Sequence, residues 1–431
     1  MGLTTEPTSR ETRRPLNRWP FSFAASRLNP WRGLSGLPRE VWLLFATNLI
    51  NRAGMMVLPF LVLYCTRELG FTPGQAGIAL ALYGASAIVA GPISGRLSDR
   101  IGALPIMRAS LLLSGTVLPL FPLARSRLAV YAMTILWAAC SELFRPASLA
   151  AITHVVSPGE RRSAHALNRL AINLGMSIGP ALGGFLATVS FRAMFVVDSA
   201  TTILAGLVLS ATSWRATKGG DDETESAYHG REAKSLLHDR RLMVFLTASI
   251  LCGIVFYQHE SALPIYLVEF LNQSPAFYGT LFTINTLLIV ALEVPLNRAT
   301  AHWPNTWPLF IGCMLFAIGF GALALVSSAT GVLVTVVIWT FGEMIIFPSS
   351  SAFVADIAPP DRRGVYSGLY VMSFSVAFLI GPWIGIAVLE RFGATVLWGS
   401  AFVCGLISAA TILAMKTFDI KESHAAEMRN Q

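Results

Sequence analysis

Charged residues are scarce in this sequence. Aspartate, glutamate, lysine and arginine together make up 13% of its 431 residues, whereas 54% are hydrophobic. Because soluble domains carry about a quarter charged residues, this chain has too few of them to solvate a globular surface of its size. Its long apolar runs, separated by short basic turns, indicate an α-helical protein that crosses a membrane many times.

Cysteine is also scarce, and no cofactor motif is present. The five cysteines lie in apolar segments without metal-ligand spacing, so neither a disulfide framework nor a metal site is expected. The first forty residues lack the apolar core of a cleavable signal peptide. A phosphate-binding loop of the form G-x-x-x-x-G-K-[ST] is absent as well. We therefore expect no cofactor, and an ion gradient, specifically of protons, as the energy source.

The second half of the chain repeats the plan of the first. The stretch from Glu142 to Gly184 recurs as Glu343 to Gly385, although the two glutamates are out of step by one residue. At a single offset of 202 residues, the matched positions are Pro146 with Pro348, Pro158 with Pro360, Pro180 with Pro382, and Gly183 with Gly385. Proline is only about one residue in twenty, so this coincidence indicates a duplicated membrane bundle.

The predicted fold is all-α, with twelve transmembrane helices in two pseudo-symmetric six-helix bundles. Twelve apolar runs are long enough to cross about 30 Å of hydrocarbon. The predicted spans lie near residues 42–64, 74–95, 105–124, 128–153, 165–188, 193–213, 243–269, 277–298, 307–327, 331–356, 364–389 and 395–416. The bundles are residues 41–213 and 243–417. The remaining segments are a basic tail at 1–40, a polar linker at 214–242 and a tail at 418–431.

The distribution of basic residues predicts the orientation, since lysine and arginine collect on the cytoplasmic side. If both termini are cytoplasmic, the loops on the outer side contain only five of the 32 lysines and arginines: Arg67, Arg125, Arg127, Arg192 and Arg391. Orientation thus explains the net charge of +8 better than a nucleic-acid partner does. We expect a multi-pass protein of the cell (inner) membrane.

Several charged side chains fall inside the predicted spans, where a charge costs about 2.5–3.5 kcal/mol even on lenient insertion scales. They lie on spans 1, 4, 7 and 10: Arg52, Glu142, Arg145, His259, Glu260 and Glu343. Burial favours the neutral form of a carboxyl and a nearby arginine favours the charged form. A Glu142 that moves relative to Arg52 or Arg145 could therefore bind and release a proton. Glu142 and Arg145 could equally form a static pair, because they are three residues apart on one helix.

The other charged positions suggest further roles. His259 and Glu260 form a second titratable pair, and only one of them is expected to face a cavity, because neighbours in sequence point in different directions on a helix. Glu343 has no partner in its own span and is expected to carry a proton. Glu293 and Asp198 lie closer to span ends, where solvated or structural roles are expected.

Two motifs resemble those of a known family. The loop Gly95-Arg96-Leu97-Ser98-Asp99-Arg100-Ile101-Gly102 is similar to the G-x-L-a-D-R-x-G loop of the major facilitator superfamily. That resemblance implies a cytoplasmic latch between the halves, formed here by Gly95, Asp99, Arg100 and Gly102. The family often continues with two basic residues, but this chain has Ala103 and Leu104, so we expect a weaker latch.

The fifth span contains the second motif, built from Gly175, Gly179, Pro180, Gly183 and Gly184. It resembles the G-x-x-x-G-P-x-x-G-G motif of proton-driven drug exporters of the superfamily, in which it shapes the interface between the halves. Any tightly packed membrane helix can also carry such glycines. The arginine usual in the fourth span of those exporters is missing from residues 132–135, so Arg145 or Arg52 could take its place.

The resemblance covers the chain after residue 40. It implies two bundles around a central cavity lined by spans 1, 4, 7 and 10, which opens alternately to either side. The expected function is proton-coupled efflux of small lipophilic compounds by a protein that acts as a monomer. The alternative is a proton symporter that imports a polar or acidic metabolite, with the charged residues of these spans as its binding site. An enzyme is not expected, because the short loops lack catalytic clusters.

Overall fold

A computed structural model describes residues 37–157, 160–212, 239–300, 302–304, 306–359 and 362–429. Within them, twelve helices are long and apolar enough to cross a membrane. Spans 1 to 6 are Arg39–Glu68, Pro73–Ile101, Ala103–Leu123, Arg127–Val155, Ser163–Val189 and Phe191–Ser210. Spans 7 to 12 are Arg240–Phe270, Pro275–Thr300, Thr306–Leu325, Ala329–Ile357, Gly364–Phe392 and Ala394–Met415. The predicted fold class, twelve helices in two six-helix bundles, is confirmed.

Two of the predicted segments, the N-terminal tail and the linker, lie mainly outside this description. The N-terminal tail is described only from residue 37, and the linker only at residues 239–242, of which 240–242 already belong to span 7. The C-terminal tail continues the helix of span 12 as far as Arg429. The matched prolines Pro158 and Pro360 are also outside the described residues.

The duplication is visible in the local structure of spans 1 and 7. Span 1 breaks between Gly54 and Val57, and span 7 breaks after Phe256. Each then ends in a widened π-helical turn, Tyr64–Glu68 in span 1 and Tyr266–Phe270 in span 7. Breaks leave backbone N–H and C=O groups without helical partners, which membrane proteins tolerate where the helix is covered by protein or borders a cavity.

Two glycines define the ends of the bundle. The connection between spans 1 and 2 turns at Gly70, with φ of 67°, and the connection between spans 2 and 3 turns at Gly102, with φ of 92°. Positive φ is accessible to glycine at little cost. Because span 2 runs between these turns, they lie at opposite ends of the molecule. We call these the Gly70 end and the Gly102 end.

The two halves are packed together at the Gly70 end on the flank where spans 2 and 11 meet. A Cβ atom added at Gly84 would lie 2.8 Å from the Phe378 ring and 3.3 Å from the backbone of Leu379. The backbone N–H of Gly74 donates to Glu390 at 2.9 Å. Towards the Gly102 end the same two spans separate, because no described atom of a neighbouring element lies within 4 Å of a Cβ added at Gly91 or Gly368.

Spans 5 and 8 form the opposite flank, and they stay in contact along their length. Near the Gly70 end, a Cβ added at Gly184 would lie 3.2 Å from the Cα of Gly279. Further along, the Thr283 hydroxyl donates to the carbonyl of Ser177 at 2.6 Å. Nearer the Gly102 end, Arg169 forms an ion pair with Glu293. The space between the halves therefore opens at the Gly102 end, between spans 2 and 11.

Candidate functional site

A cavity of about 620 Å³ occupies this space and is bordered chiefly by spans 2, 4, 7 and 11. Its wall is largely apolar, with side chains such as Ile88, Leu149, Val371, Met372 and Phe378. Three charged residues face it: Glu142, Arg145 and Glu260. An apolar chamber with a few polar groups is typical of small-molecule sites.

Glu142 lies where span 4 is interrupted, between the helices Arg127–Ser141 and Phe144–Val155. The Tyr83 hydroxyl of span 2 donates to its Oε1 at 2.6 Å and lies 3.3 Å from the Ser141 hydroxyl. The carboxyl is thus held by a neutral donor at the edge of the cavity. Sequence reasoning missed Tyr83, because a tyrosine in an apolar span has no charge to draw attention to it.

The two arginines near Glu142 lack carboxylate partners. In the described part of the chain, no ion pair within 4.0 Å joins Glu142 to Arg52 or Arg145, so the static Glu142–Arg145 pair considered above is not formed. Arg52 directs Nη1 to the Met55 sulfur at 2.8 Å, and its buried Nε has no hydrogen-bond partner among these residues. Arg52 does not line the 620 Å³ cavity, but it lines a smaller cavity together with Glu142 and Arg145.

His259 and Glu260 lie at the break of span 7. Glu260 borders the cavity, whereas His259 is buried among the rings of Phe256, Phe282 and Trp339. Its Nδ1 is 2.7 Å from the carbonyl of Phe256, and its Nε2 lies 3.6 Å from Glu260. Adjacent residues of a regular helix point apart, so this approach is possible only because the helix is interrupted here.

Glu343 is hydrogen-bonded to a residue of another span. The amide of Asn285 in span 8 donates to its Oε2 at 2.8 Å and to the Thr340 hydroxyl at 3.0 Å. Asn285 stands 202 residues after Tyr83, so the duplication places a donor beside a carboxyl in both halves. Glu343 is not among the residues that line the 620 Å³ cavity.

The glycine motif of span 5 packs against the break in span 1. A Cβ added at Gly175 would lie 2.4 Å from the Cβ of Arg52. A Cβ added at Gly179 would lie 2.7 Å from the carbonyl oxygen of Arg52. Gly183 faces Met56 in the same way, at 2.8 Å. One residue further, Gly184 faces span 8 of the other half, and Pro180 lies one turn before it inside the helix. Span 5 therefore packs between the Arg52 region and the opposite bundle.

The loop at the Gly102 end is disengaged in this structure. Asp99 and Arg100 are exposed, and neither forms a hydrogen bond or ion pair with any described residue. Gly95 likewise faces open space. This agrees with the separation of spans 2 and 11 at that end, because a latch between the halves would need both spans close together.

Two buried carboxylates assigned above to span ends have defined partners. Asp198 accepts hydrogen bonds from the backbone N–H groups of Met56 and Val57, at 3.0 and 2.9 Å. These two N–H groups lose their helical acceptors at the break in span 1, and Asp198 replaces those acceptors. Glu293 is paired with Arg169, which sequence reasoning missed because the two residues lie 124 positions apart. Within the described residues, no group of three or more His, Cys, Asp or Glu side chains is placed to share a metal ion.

Comparison with known proteins assigns the architecture to a family. Residues 43–272 and 261–428 match the model of the Major Facilitator Superfamily. A Na(+), Li(+), K(+)/H(+) antiporter of Planococcus maritimus is 25% identical over 383 residues, which cover 80% of this chain and 88% of that protein. Multidrug resistance protein MdtH of Aeromonas hydrophila is 23% identical over 388 residues, 83% of this chain and 93% of the relative.

A solved structure of similar fold is that of a POT family transporter in complex with a thioalcohol-conjugated peptide. The TM-score is 0.75 at 15% sequence identity, and the alignment covers 91% of this chain and 98% of that one. At this identity the likeness concerns the fold alone.

Proposed function

Because the chain belongs to the major facilitator superfamily and is a membrane transporter, we propose that it exchanges protons for small lipophilic compounds, which it exports from the cell by alternating access. The positive-inside rule supports a cytoplasmic Gly102 end, so the 620 Å³ cavity would receive substrate from the cytoplasm or the inner leaflet. Its apolar wall suits a lipophilic substrate.

The observation that carries this proposal is the position of the Glu142 carboxyl and its hydrogen-bond partner. Its carboxyl faces an apolar cavity, is held by a tyrosine hydroxyl, and has no arginine within 4.0 Å in the described structure. We infer that this carboxyl takes up and releases the proton, because it borders the cavity through which substrate and protons would reach it. Substrate and proton would then compete for one site.

The relatives' names agree with exchange and with drug efflux, since one is called a cation/proton antiporter and another a multidrug resistance protein. Identity near 25% transfers neither a substrate nor a direction to this chain. Monovalent cations therefore belong in the test panel beside lipophilic drugs.

The test is proton movement in proteoliposomes that contain a pH-sensitive dye, under an imposed pH gradient. Lipophilic cations, organic acids, and Na⁺, Li⁺ and K⁺ are added in turn. We expect lipophilic compounds to release protons down their gradient, and Glu142→Gln to abolish this release. Glu343→Gln and Glu260→Gln run in parallel, and Glu68→Gln, at an exposed carboxylate of the Gly70 end, is the matched control that should retain exchange.

A second function is favoured by the two arginines that lack carboxylate partners, Arg52 and Arg145. A symporter that imports a polar or acidic metabolite could use them to bind its substrate. In the same proteoliposomes, organic acids that enter together with protons, with no response to lipophilic compounds, would replace the export proposal with this one.

A further inference from the structure

A second cavity, of about 250 Å³, lies inside the first half between spans 1, 4 and 5. Its lining includes four basic side chains, Arg52, Arg145, His165 and Arg169. No acidic residue is among the described residues that line it. Arg145 and Leu149 border the 620 Å³ cavity as well, so the two cavities adjoin at span 4.

The arginines of this cavity are only partly neutralised. Arg169 is paired with Glu293 of span 8, but Arg52 and Arg145 have no carboxylate within 4.0 Å in the described structure. Arg52 and Arg145 line this cavity together. Two neighbouring guanidinium groups repel each other, and the Arg52 Nε is buried without a hydrogen-bond partner among the described residues. This arrangement leaves donors and positive charge for a bound anion.

Neutral polar side chains complete the wall and are held in place. The Asn48 amide donates to Ser148 Oγ at 3.2 Å and to Asn168 Oδ1 at 2.9 Å, which ties spans 1, 4 and 5 together. Because Asn168 accepts with its carbonyl oxygen, its NH₂ group remains a donor. All three side chains line the cavity, and all three are buried.

We propose that this cavity is a binding site for a compact oxyanion, a carboxylate or phosphate group, held by Arg52 and Arg145 and assisted by Asn168. A planar guanidinium matches carboxylate and phosphate oxygens with two parallel hydrogen bonds. Glu142 lines a smaller neighbouring cavity with both arginines but forms no ion pair within 4.0 Å with either of them in the described structure. The anion would therefore supply the charge-assisted hydrogen bonds that these two guanidinium groups do not make with a described carboxylate. The site adjoins the apolar cavity at span 4, where Arg145 borders both, and the proposal does not depend on the direction of transport.

The test is anion binding to the purified full-length protein in a phosphate-free, carboxylate-free detergent such as dodecyl maltoside. Inorganic phosphate, sulfate and citrate are titrated by calorimetry and by the midpoint of thermal unfolding, at constant ionic strength set with chloride. We expect saturable binding that raises the unfolding midpoint, since a ligand of the native state stabilises it. Arg52→Gln should weaken the affinity at least about tenfold, because it removes charge-assisted hydrogen bonds.

Controls separate the site from general attraction to a basic protein. Arg127→Gln removes an exposed arginine at the Gly70 end and should bind anions like the parent. Arg145→Gln is the second site variant, in case Arg52→Gln does not fold. Phosphatidylglycerol added to the micelles distinguishes the source of the anion, because a headgroup in the site would compete with inorganic phosphate.

Competition that is lost in Arg52→Gln and Arg145→Gln assigns the site to a lipid headgroup, and phosphate binding without competition assigns it to a free anion. The proposal is overturned if none of these probes binds. It is also overturned if the site variants and Arg127→Gln bind the anions equally. Because binding is read without transport, failure here leaves the exchange proposal standing, and the reverse holds as well.

Discussion

Glu142 and Glu343 have equivalent hydrogen-bond donors but differ in their access to the large cavity. Each accepts a hydrogen bond from a side chain of an adjacent span, Tyr83 for the first and Asn285 for the second. Only Glu142 lines the large cavity. A carboxyl that must meet substrate and proton in turn has to be reached from a cavity, so the asymmetry favours Glu142 as the coupling residue and leaves Glu343 as a half-buried, hydrogen-bonded group.

We expect Tyr83→Phe to slow substrate-driven proton release about fivefold, the rate equivalent of the ~1 kcal/mol of one hydrogen bond. The hydroxyl orients the Glu142 carboxyl at 2.6 Å, and phenylalanine keeps the ring but removes the donor. The readout is the initial rate in the dye-loaded proteoliposomes. Tyr131→Phe is the control, because its hydroxyl donates to the carbonyl of Gln75 and does not line this cavity. Equal losses in both variants would argue against orientation by Tyr83.

Asp198→Ala is expected to destabilise the protein by roughly 2–6 kcal/mol. It leaves the N–H groups of Met56 and Val57 buried without an acceptor, at about 1–3 kcal/mol each. Asp198→Asn should cost less, because the amide oxygen can still accept. The measurement is the apparent unfolding midpoint in detergent, with Asp99→Ala as the control at an exposed aspartate. An unchanged midpoint in Asp198→Ala would mean that the break in span 1 is satisfied in another way.

At the scale of helices, span 5 is built to approach two neighbours at once. Gly175, Gly179 and Gly183 face the broken part of span 1, and Gly184 faces span 8 of the other half. Small residues at such intervals let membrane helices pack with backbones in contact. A motion of span 1 that moves Arg52 is therefore coupled by direct packing to the interface between the halves.

Gly179→Leu should abolish transport and lower the unfolding midpoint. A Cβ at this position meets the carbonyl oxygens of Arg52 at 2.7 Å and Met55 at 3.0 Å, and backbone atoms cannot turn aside as a flexible side chain can. Gly399→Leu is the matched control, because a Cβ there meets no described atom within 4 Å. Folded protein is assessed by gel filtration and thermal unfolding. If Gly179→Leu behaved like the control, the close packing of spans 1 and 5 would be refuted.

Much of this arrangement of helices follows from the sequence, because span length and the 202-residue offset are properties of local composition. The twelve spans were predicted within a few residues of the observed helices. The breaks in spans 1, 4 and 7 were not, since a membrane helix is interrupted where tertiary partners such as Asp198 satisfy the freed backbone groups. Those breaks decide the site: they bring His259 to 3.6 Å from Glu260.

The candidate charges were identified from their position within apolar spans, but their pairing was not. Arg169 and Glu293 lie in different halves, and Tyr83 and Asn285 carry no charge. No local pattern in the sequence indicates that such residues meet. The lack of a described ion pair at Arg145 could not be predicted either, because a helical spacing of three favours a pair with Glu142 that the interrupted helix does not form.

On the scale of the whole molecule, two kinds of contact join the halves at the closed Gly70 end: an ion pair and the packing of spans 2 and 11. The Arg67–Glu269 ion pair joins the halves there at 3.9 Å, but both side chains are 43% exposed. Exposed pairs contribute about 0–1 kcal/mol. At Gly84 the two spans are in direct contact, since a Cβ there would lie 2.8 Å from Phe378 and 3.3 Å from the backbone of Leu379. Packing of spans 2 and 11 should therefore determine the balance between the two open states more than this ion pair does.

This difference can be measured by the accessibility of the cavity to a water-soluble maleimide. Ser375 of span 11 lines the cavity, and none of the five native cysteines is among the described residues that line it. In a Ser375→Cys protein, Gly84→Leu should reduce the labelling rate several-fold. The leucine pushes spans 2 and 11 apart at the Gly70 end, and in an alternating-access protein this shifts the population towards the state closed at the Gly102 end. Arg67→Gln should change the rate less than about twofold.

The reverse order would assign the closure to the ion pair, and equal labelling in all three proteins would show that closing the Gly102 end does not depend on these contacts.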